Sequence, residues 1–125
     1  MKKEKVLYVD DEHINLLILK KILGKNYDVT IAKSGHEALD KLEKDPEIKL
    51  VISDMKMPEM NGLQFIKLST ERFQNKKYFM LSGFAITEEI QNAIDSNLIC
   101  NYFQKPANFE EIDNALKKEC EQLGD

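Results

Sequence analysis

Hydrophobic positions along the chain follow two alternating spacings. Short runs of β-branched and aromatic residues predict strands, and the longer stretches between them carry apolar residues at helical spacing. The first such pair is a strand at Val6–Val9 followed by a helix at Glu12–Leu23. Four later strands are predicted at Tyr27–Ala32, Leu50–Ser53, Tyr78–Leu81 and Cys100–Phe103.

Local signals mark the ends of the remaining helices. Ser34 and Glu37 form a capping box that predicts a helix through about Lys44, and Pro58 and Gly62 break the chain before the next helix. Asn108 is placed to cap the last helix, which Gly124 is placed to close. Apolar residues at helical spacing line the third, fourth and fifth helices: Leu63, Phe65 and Ile66; Ile90, Ala93 and Ile94; and Phe109, Ile112, Leu116 and Leu123.

Five strands that are each followed by a helix predict a doubly wound α/β fold. Crossovers between parallel strands are long and right-handed, so the sheet is parallel and helices cover both of its faces. Tyr27–Ala32 alternates apolar and polar residues, which indicates an edge strand. The chain has 125 residues and shows no repeat, linker or biased tail, so a single domain over residues 1–125 is expected.

Composition excludes several classes of partner. The chain carries 18 basic and 22 acidic residues, and every basic residue except Arg72 is a lysine, which argues against a nucleic-acid-binding face. Two cysteines are too few for a secreted disulfide scaffold, and no apolar run is long enough to span a membrane. We therefore expect a protein of the reducing cytoplasm that binds neither membranes nor nucleic acid.

Polar residues follow four of the predicted strands. Asp10 and Asp11 follow the first strand, Asp54 the third, Ser82 the fourth and Lys105 the fifth. Ligands of open parallel sheets bind beyond the carboxyl ends of the strands. Two carboxylates there would repel by about 4 kcal/mol at about 4 Å and an effective dielectric constant of about 20, so a cation is needed. An all-oxygen site favours Mg²⁺ over zinc.

A metal ion, the Lys105 ammonium and the Ser82 hydroxyl together would make a receptor for a phosphoryl group. Asp54 is the candidate nucleophile because it is central and isolated, whereas Asp10 and Asp11 are adjacent and suited to sharing a metal. No Gly-rich phosphate loop follows the first strand.

Four segments resemble, in order and spacing, the motifs of the receiver domain of two-component response regulators: Val9–Asp11, Asp54–Gly62, Leu81–Gly83 and Tyr102–Pro106. The resemblance extends from about Lys5 to Leu123. It implies a flavodoxin-like, CheY-like fold with the sheet order 2-1-3-4-5. It also implies a signalling phosphoacceptor that catalyses only its own phosphorylation and dephosphorylation.

The resemblance also assigns roles to the residues at the strand ends. Asp54 would accept a phosphoryl group from a histidine kinase or a histidine phosphotransfer protein. Asp11, Asp54 and the backbone carbonyl of Lys56 would bind Mg²⁺ directly, and Asp10 would hold a metal-bound water. Lys105 would contact the phosphoryl group, and Ser82 would hydrogen-bond to it.

In such receivers the switch hydroxyl moves toward the phosphoryl group and an aromatic ring fills the vacated space, roles that fall here to Ser82 and Tyr102. The face made by the fourth helix, the fifth strand and the fifth helix would then bind an unidentified downstream partner, and the sequence leaves dimerisation through it open. Ser82 stands where Thr is more usual. Asn97 stands where many receivers have Gly, and we expect it in the left-handed conformation at the end of a helix.

The first helix offers a candidate docking surface. Ile18, Leu19, Ile22 and Leu23 are expected to form its buried face, which places Ile14 and Leu17 away from the core. These two residues are interpreted either as part of a kinase contact or as scattered surface apolar residues. Two further positions, Lys56 and Phe84, flank the path of attacking water in the family, and the Phe84 ring is expected to slow dephosphorylation.

Two other classes of function remain as alternatives. A phosphatase or phosphotransferase with an aspartyl-phosphate intermediate places a second catalytic Asp two residues after the nucleophile, where this chain has Lys56. A flavin-binding electron carrier is disfavoured because the phosphate loop is missing. Cys100 is expected to be reduced and buried in the fifth strand, and His13 and His36 to lie on the surface.

Overall fold

The computed structural model describes residues 3–83 and 86–123, with side chains described as far as Cys120. Strands and helices alternate through these residues. The strands are β1 (Glu4–Val9), β2 (Tyr27–Ala32), β3 (Leu50–Asp54), β4 (Lys77–Ser82) and β5 (Asn101–Gln104). The helices are α1 (His13–Leu23), α2 (Gly35–Lys44), α3 (Gly62–Arg72), α4 (Glu88–Asp95) and α5 (Phe109–Leu123).

The five strands form one parallel sheet in the order β2-β1-β3-β4-β5, which confirms the predicted topology and the edge position of β2. Successive residues of β1 face opposite sides of the sheet. Leu7 and Val9 pack with apolar residues of α2, α3 and α4, whereas Val6 and Tyr8 pack with those of α1 and α5. Each face of the sheet is therefore covered by its own set of helices.

Side-chain caps start α2 and α5 where the sequence places them. The Ser34 hydroxyl accepts a hydrogen bond from the Glu37 amide at 3.1 Å, and Asn108 accepts one from the Glu111 amide at 3.1 Å. Asn97 has φ 64° two residues beyond α4, which confirms the left-handed conformation predicted for it. The predictions made for Phe84 and Gly124 concern residues outside the described part of the chain.

The buried face of α1 differs from the prediction. Leu16, Leu19 and Leu23 are buried, whereas Ile18 and Ile22 are 47% and 36% exposed, so the placement of these two isoleucines in the core was wrong. Most residues of α1 are Ile or Leu, and periodicity alone does not decide which of several apolar stripes faces the sheet. The expected exposure of Ile14 and Leu17 is confirmed at 69% and 49%.

The last strand also differs from the prediction. β5 begins at Asn101, one residue later than predicted, and Cys100 is exposed instead of buried. The Cys100 amide still donates to the Tyr78 carbonyl at 2.7 Å.

Within the described ranges, no helix combines the length and the hydrophobicity needed to cross a membrane.

Candidate functional site

The polar strand ends meet at one rim of the sheet because all five strands run in the same direction. One carboxylate oxygen from each of Asp10, Asp11 and Asp54 lies within 4.8 Å of the other two. The Lys105 Nζ atom lies 3.3 Å from Asp10 Oδ2 and 3.4 Å from Asp54 Oδ1. The structure thus brings the three acidic residues and the amine into one cluster.

The position of Asp54 depends on close packing between β3 and α3. Asp54 is the last residue of the central strand, and Gly62 begins α3 directly against it. A Cβ atom at position 62 would lie 2.3 Å from the Asp54 carbonyl oxygen, which is far inside van der Waals contact. The Gly62 amide also donates to the Met55 carbonyl at 2.8 Å. Only glycine lets the loop close this tightly behind the carboxylate.

Asp10 is fully buried, and hydrogen-bond donors reach both of its carboxylate oxygens. Oδ1 accepts from the Glu12 amide at 2.9 Å, and Oδ2 accepts from the Tyr8 hydroxyl at 2.6 Å and from Lys105 at 3.3 Å. Oxygens that are engaged in this way suit contact with a metal through a water better than direct coordination. Burial and the bond to Asp10 raise the pKa of Tyr8, so its hydroxyl keeps its proton and acts as a donor.

Sequence reasoning missed Tyr8. A signal was present, because residues two apart in extended chain point the same way and Tyr8 lies two residues before Asp10, which directly follows the strand. An aromatic residue with a hydroxyl, placed one pleat below a buried carboxylate, is therefore a candidate donor to it.

Two opposing effects act on Asp54, whose residue surface is only 6% exposed. Burial, followed by the negative charge of Asp10, raises the pKa of Asp54 to about 6, and the ammonium of Lys105 offsets part of that rise. Burial opposes the charge on Lys105, but the charges of Asp54 and Asp10 outweigh it and raise the pKa of the amine. The cluster therefore carries more negative charge than Lys105 neutralises and favours a second cation.

An open cavity lies above the cluster. Asp11 is exposed at the cavity and Asp54 is buried beneath it. The lining residues supply carboxylate oxygens and no imidazole or thiol, a donor set that fits a hard cation such as Mg²⁺. They are Asp11, Glu12, Asp54, Lys56, Met57, Pro58, Gly83 and Lys105.

Neither Ser82 nor Tyr102 is among the residues that line this cavity, although Ser82 directly precedes Gly83, which does line it. Ser82 ends β4 and is buried, and its carbonyl accepts from the Lys105 amide at 2.7 Å. Tyr102 is half-buried on β5, paired with Met80, and its ring packs on the side of the sheet that α4 covers. Among the groups described, none hydrogen-bonds to the buried Tyr102 hydroxyl.

Comparison with known proteins decides the family. The family model described as the response regulator receiver domain matches residues 6–117. The chain belongs to the response regulator receiver domain family. The phosphoryl-acceptor role of such domains in two-component signalling agrees with the acidic cluster and the lysine described above.

Individual relatives cover nearly the same length. Sporulation initiation phosphotransferase F of Bacillus subtilis is 31% identical over 120 residues, which are 94% of this chain and 94% of that protein. Chemotaxis protein CheY1 of Helicobacter pylori is 36% identical over 106 residues, 82% of this chain and 85% of the relative. The CheY-like receiver domain protein from Methanospirillum hungatei superposes with a TM-score of 0.89 at 26% identity and 98% coverage of both chains.

Proposed function

We propose that this chain, as a single receiver domain over residues 1–125, accepts a phosphoryl group on Asp54 from a histidine kinase or a histidine phosphotransfer protein. The observation that carries the proposal is the position of the Asp54 carboxylate, 3.4 Å from the Lys105 amine and within 4.8 Å of oxygens of Asp10 and Asp11. An Asp54 oxygen would form the new bond to phosphorus while the bond to the donor's imidazole nitrogen breaks.

The remaining polar groups would stabilise the transferred group. Mg²⁺ would be held by Asp11, Asp54 and the Lys56 carbonyl, with Asp10 contacting it through a water, and when bound it would supply positive charge beside the phosphoryl oxygens. The Lys105 amine would bind a second face of the phosphoryl group, and the Ser82 hydroxyl would donate a hydrogen bond to it.

The test uses acetyl phosphate, a small donor that bypasses the kinase. With Mg²⁺, the intact mass of the protein is expected to increase by one phosphoryl group, and chelation of the metal should prevent this. Asp54→Ala should remain unmodified, whereas the exposed Asp40→Ala, the matched control, should be modified like the wild type. Phosphorylation of Asp54→Ala would contradict the proposal, and sustained hydrolysis of p-nitrophenyl phosphate would instead favour a phosphatase.

The signal would leave through the face formed by α4, β5 and α5. We expect phosphorylation and signalling to take place in the cytoplasm, and we expect a protein partner or a second copy of the domain to bind that face. We propose that Tyr102, on β5, connects this face to the site. Its hydroxyl is buried without a described partner, and a buried unpaired hydroxyl gains free energy from a conformation that pairs it.

Tyr102→Ala is therefore expected to separate phosphorylation from signalling. Phosphorylation of Asp54 should be nearly unchanged, because Tyr102 does not line the cavity above Asp54. The changes in amide chemical shift that phosphorylation causes along α4 should shrink, because the ring that stabilises one of the two states is gone. Equal losses of phosphorylation and of the α4 response would contradict this division of roles.

Ile14 and Leu17 are proposed to contact the phosphodonor protein. They are exposed on α1, which starts beside Glu12 at the cavity wall. Ile14→Gln with Leu17→Gln is expected to slow transfer from the cognate donor by about tenfold, the usual scale for losing interface anchors. Phosphorylation by acetyl phosphate should be unaffected. Ile22→Gln, at the other end of the same helix, is the control, and an unchanged transfer rate in the double variant would refute the contact.

A further inference from the structure

Lys105 and Tyr8 donate to the same oxygen of Asp10. The Tyr8 hydroxyl lies 2.6 Å from Asp10 Oδ2, and the Lys105 amine lies 3.3 Å from that oxygen while also lying 3.4 Å from Asp54 Oδ1. Asp10 and Tyr8 are both buried, so solvent is not available to replace either donor. The amine is thus shared between two carboxylates, and one of them has a second donor of its own.

This sharing matters when a phosphoryl group arrives. The Lys105 amine would then be needed at the phosphoryl oxygens and would have to loosen its contact with Asp10. A buried carboxylate oxygen left without any hydrogen-bond donor is destabilised by the full cost of desolvation. If Lys105 were the last donor to Asp10 Oδ2, that cost would keep the amine at Asp10. The Tyr8 hydroxyl removes this cost, because it stays on Asp10 Oδ2 after the amine has moved.

We propose that Tyr8 is a positioning residue whose hydroxyl holds Asp10 Oδ2, so that Lys105 can leave Asp10 for the phosphoryl group on Asp54. The inference rests on the function proposed above. Its geometric basis is the end of β1, where Tyr8 lies in the strand and Asp10 directly follows its last residue, Val9, with the Tyr8 hydroxyl 2.6 Å from Asp10 Oδ2. The Tyr8 ring packs among buried side chains such as Leu16 and Phe79, which fixes the direction of the hydroxyl.

Tyr8→Phe tests the proposal because it keeps the ring and removes only the hydroxyl. The probe is beryllofluoride with Mg²⁺, a phosphoryl mimic that binds to carboxylates, measured by titration calorimetry. We expect about tenfold weaker binding of beryllofluoride, the scale of one hydrogen bond to a charged group. Affinity for Mg²⁺ alone should change far less, since binding the metal does not require the amine to leave Asp10.

The matched control is Tyr27→Phe. It also removes a tyrosine hydroxyl bonded to an aspartate, Asp113 at 2.9 Å, but Tyr27 starts β2 at the opposite rim of the sheet. Tyr27→Phe should bind beryllofluoride as the wild type does. A loss in both variants would point to general destabilisation and would overturn the proposed role of Tyr8.

A double-mutant cycle with Lys105→Ala asks whether Tyr8 acts through the amine. Without the amine there is nothing to release, so Tyr8→Phe should cause no further loss of beryllofluoride affinity in that background. An equal loss in both backgrounds, or no loss in either, would overturn the inference. Failure of the wild type to bind beryllofluoride would overturn the proposed function and this inference together, whereas equal binding by wild type and Tyr8→Phe would overturn only the inference.

Discussion

Without divalent cations, Asp54→Asn is expected to be more stable than the wild-type domain at pH 7, by about 3 kcal/mol. Burial and the charge of Asp10 raise the pKa of Asp54 from 3.8 to about 6, and that difference corresponds to about 3 kcal/mol. At pH 7 the wild type must keep a buried carboxylate ionised. An Asn side chain of similar shape avoids this cost.

The stability difference between the wild type and Asp54→Asn is expected to depend on pH. The folded protein holds the Asp54 proton more tightly than the unfolded chain, so this contribution to stability is complete below about pH 3.8 and is lost as the pH rises through about 6. Wild type and Asp54→Asn should therefore be similar in stability near pH 4 and diverge by pH 7. Urea unfolding in chelator at both pH values measures this.

The control for this experiment is Asp40→Asn, which neutralises an exposed carboxylate on α2. Its stability should stay within about 0.5 kcal/mol of the wild type at both pH values, as is usual for surface substitutions. Mg²⁺ at about a hundred times its dissociation constant should stabilise the wild type by about 2.7 kcal/mol, which would close most of the gap. If the wild type were as stable as Asp54→Asn at pH 7 in chelator, ionisation of the buried Asp54 carboxylate would not lower the stability of the fold.

Lys105→Ala is expected to have the opposite effect and to destabilise the metal-free protein at pH 7 by about 3 kcal/mol. The amine bridges two buried carboxylates, and removing one partner of a buried ion pair leaves charge without compensation. The Lys105 side chain is 25% exposed, which puts the expected loss at the lower end of the range for buried pairs. Thermal or urea unfolding in chelator measures it.

Two comparisons make the Lys105 prediction specific. Lys117→Ala removes a surface pair with Asp113 at 3.2 Å and should cost no more than about 0.5 kcal/mol. In an Asp54→Asn background the cost of Lys105→Ala should fall, because only Asp10 remains and it keeps the Tyr8 and Glu12 donors. An equal cost of Lys105→Ala in both backgrounds would mean that the lysine acts through packing instead of charge.

The expected effects of Asp54→Asn and Lys105→Ala arise from one property of the site. Burial makes Asp54 costly to ionise, and the cluster around it holds more negative charge than Lys105 compensates. A bound cation, or a phosphoryl group together with its metal, can compensate the remaining charge. A site optimised for stability would have replaced Asp54 with a neutral residue, whereas a phosphoacceptor needs the carboxylate.

Much of the fold could be predicted from the sequence. The β2 bounds match the prediction, and β1, β3 and β4 extend the predicted strands by one or two residues at their ends. The convergence of Asp10, Asp54 and Lys105 could also be predicted, because parallel strands bring their carboxyl ends to one rim whatever the details of packing.

Other features were decided only by tertiary structure. Which stripe of α1 is buried depends on the rotation of the helix about its axis, and its abundant Ile and Leu leave that rotation open until the helix meets the sheet. Asp10 shares the Lys105 amine with Asp54 and accepts a second hydrogen bond from Tyr8. These contacts depend on distances of about 3 Å between side chains of β1, of β3 and of the segments that follow β1 and β5. Hydrophobic spacing determines strands, helices and their order, but contacts at that scale are determined only when all the elements are packed together.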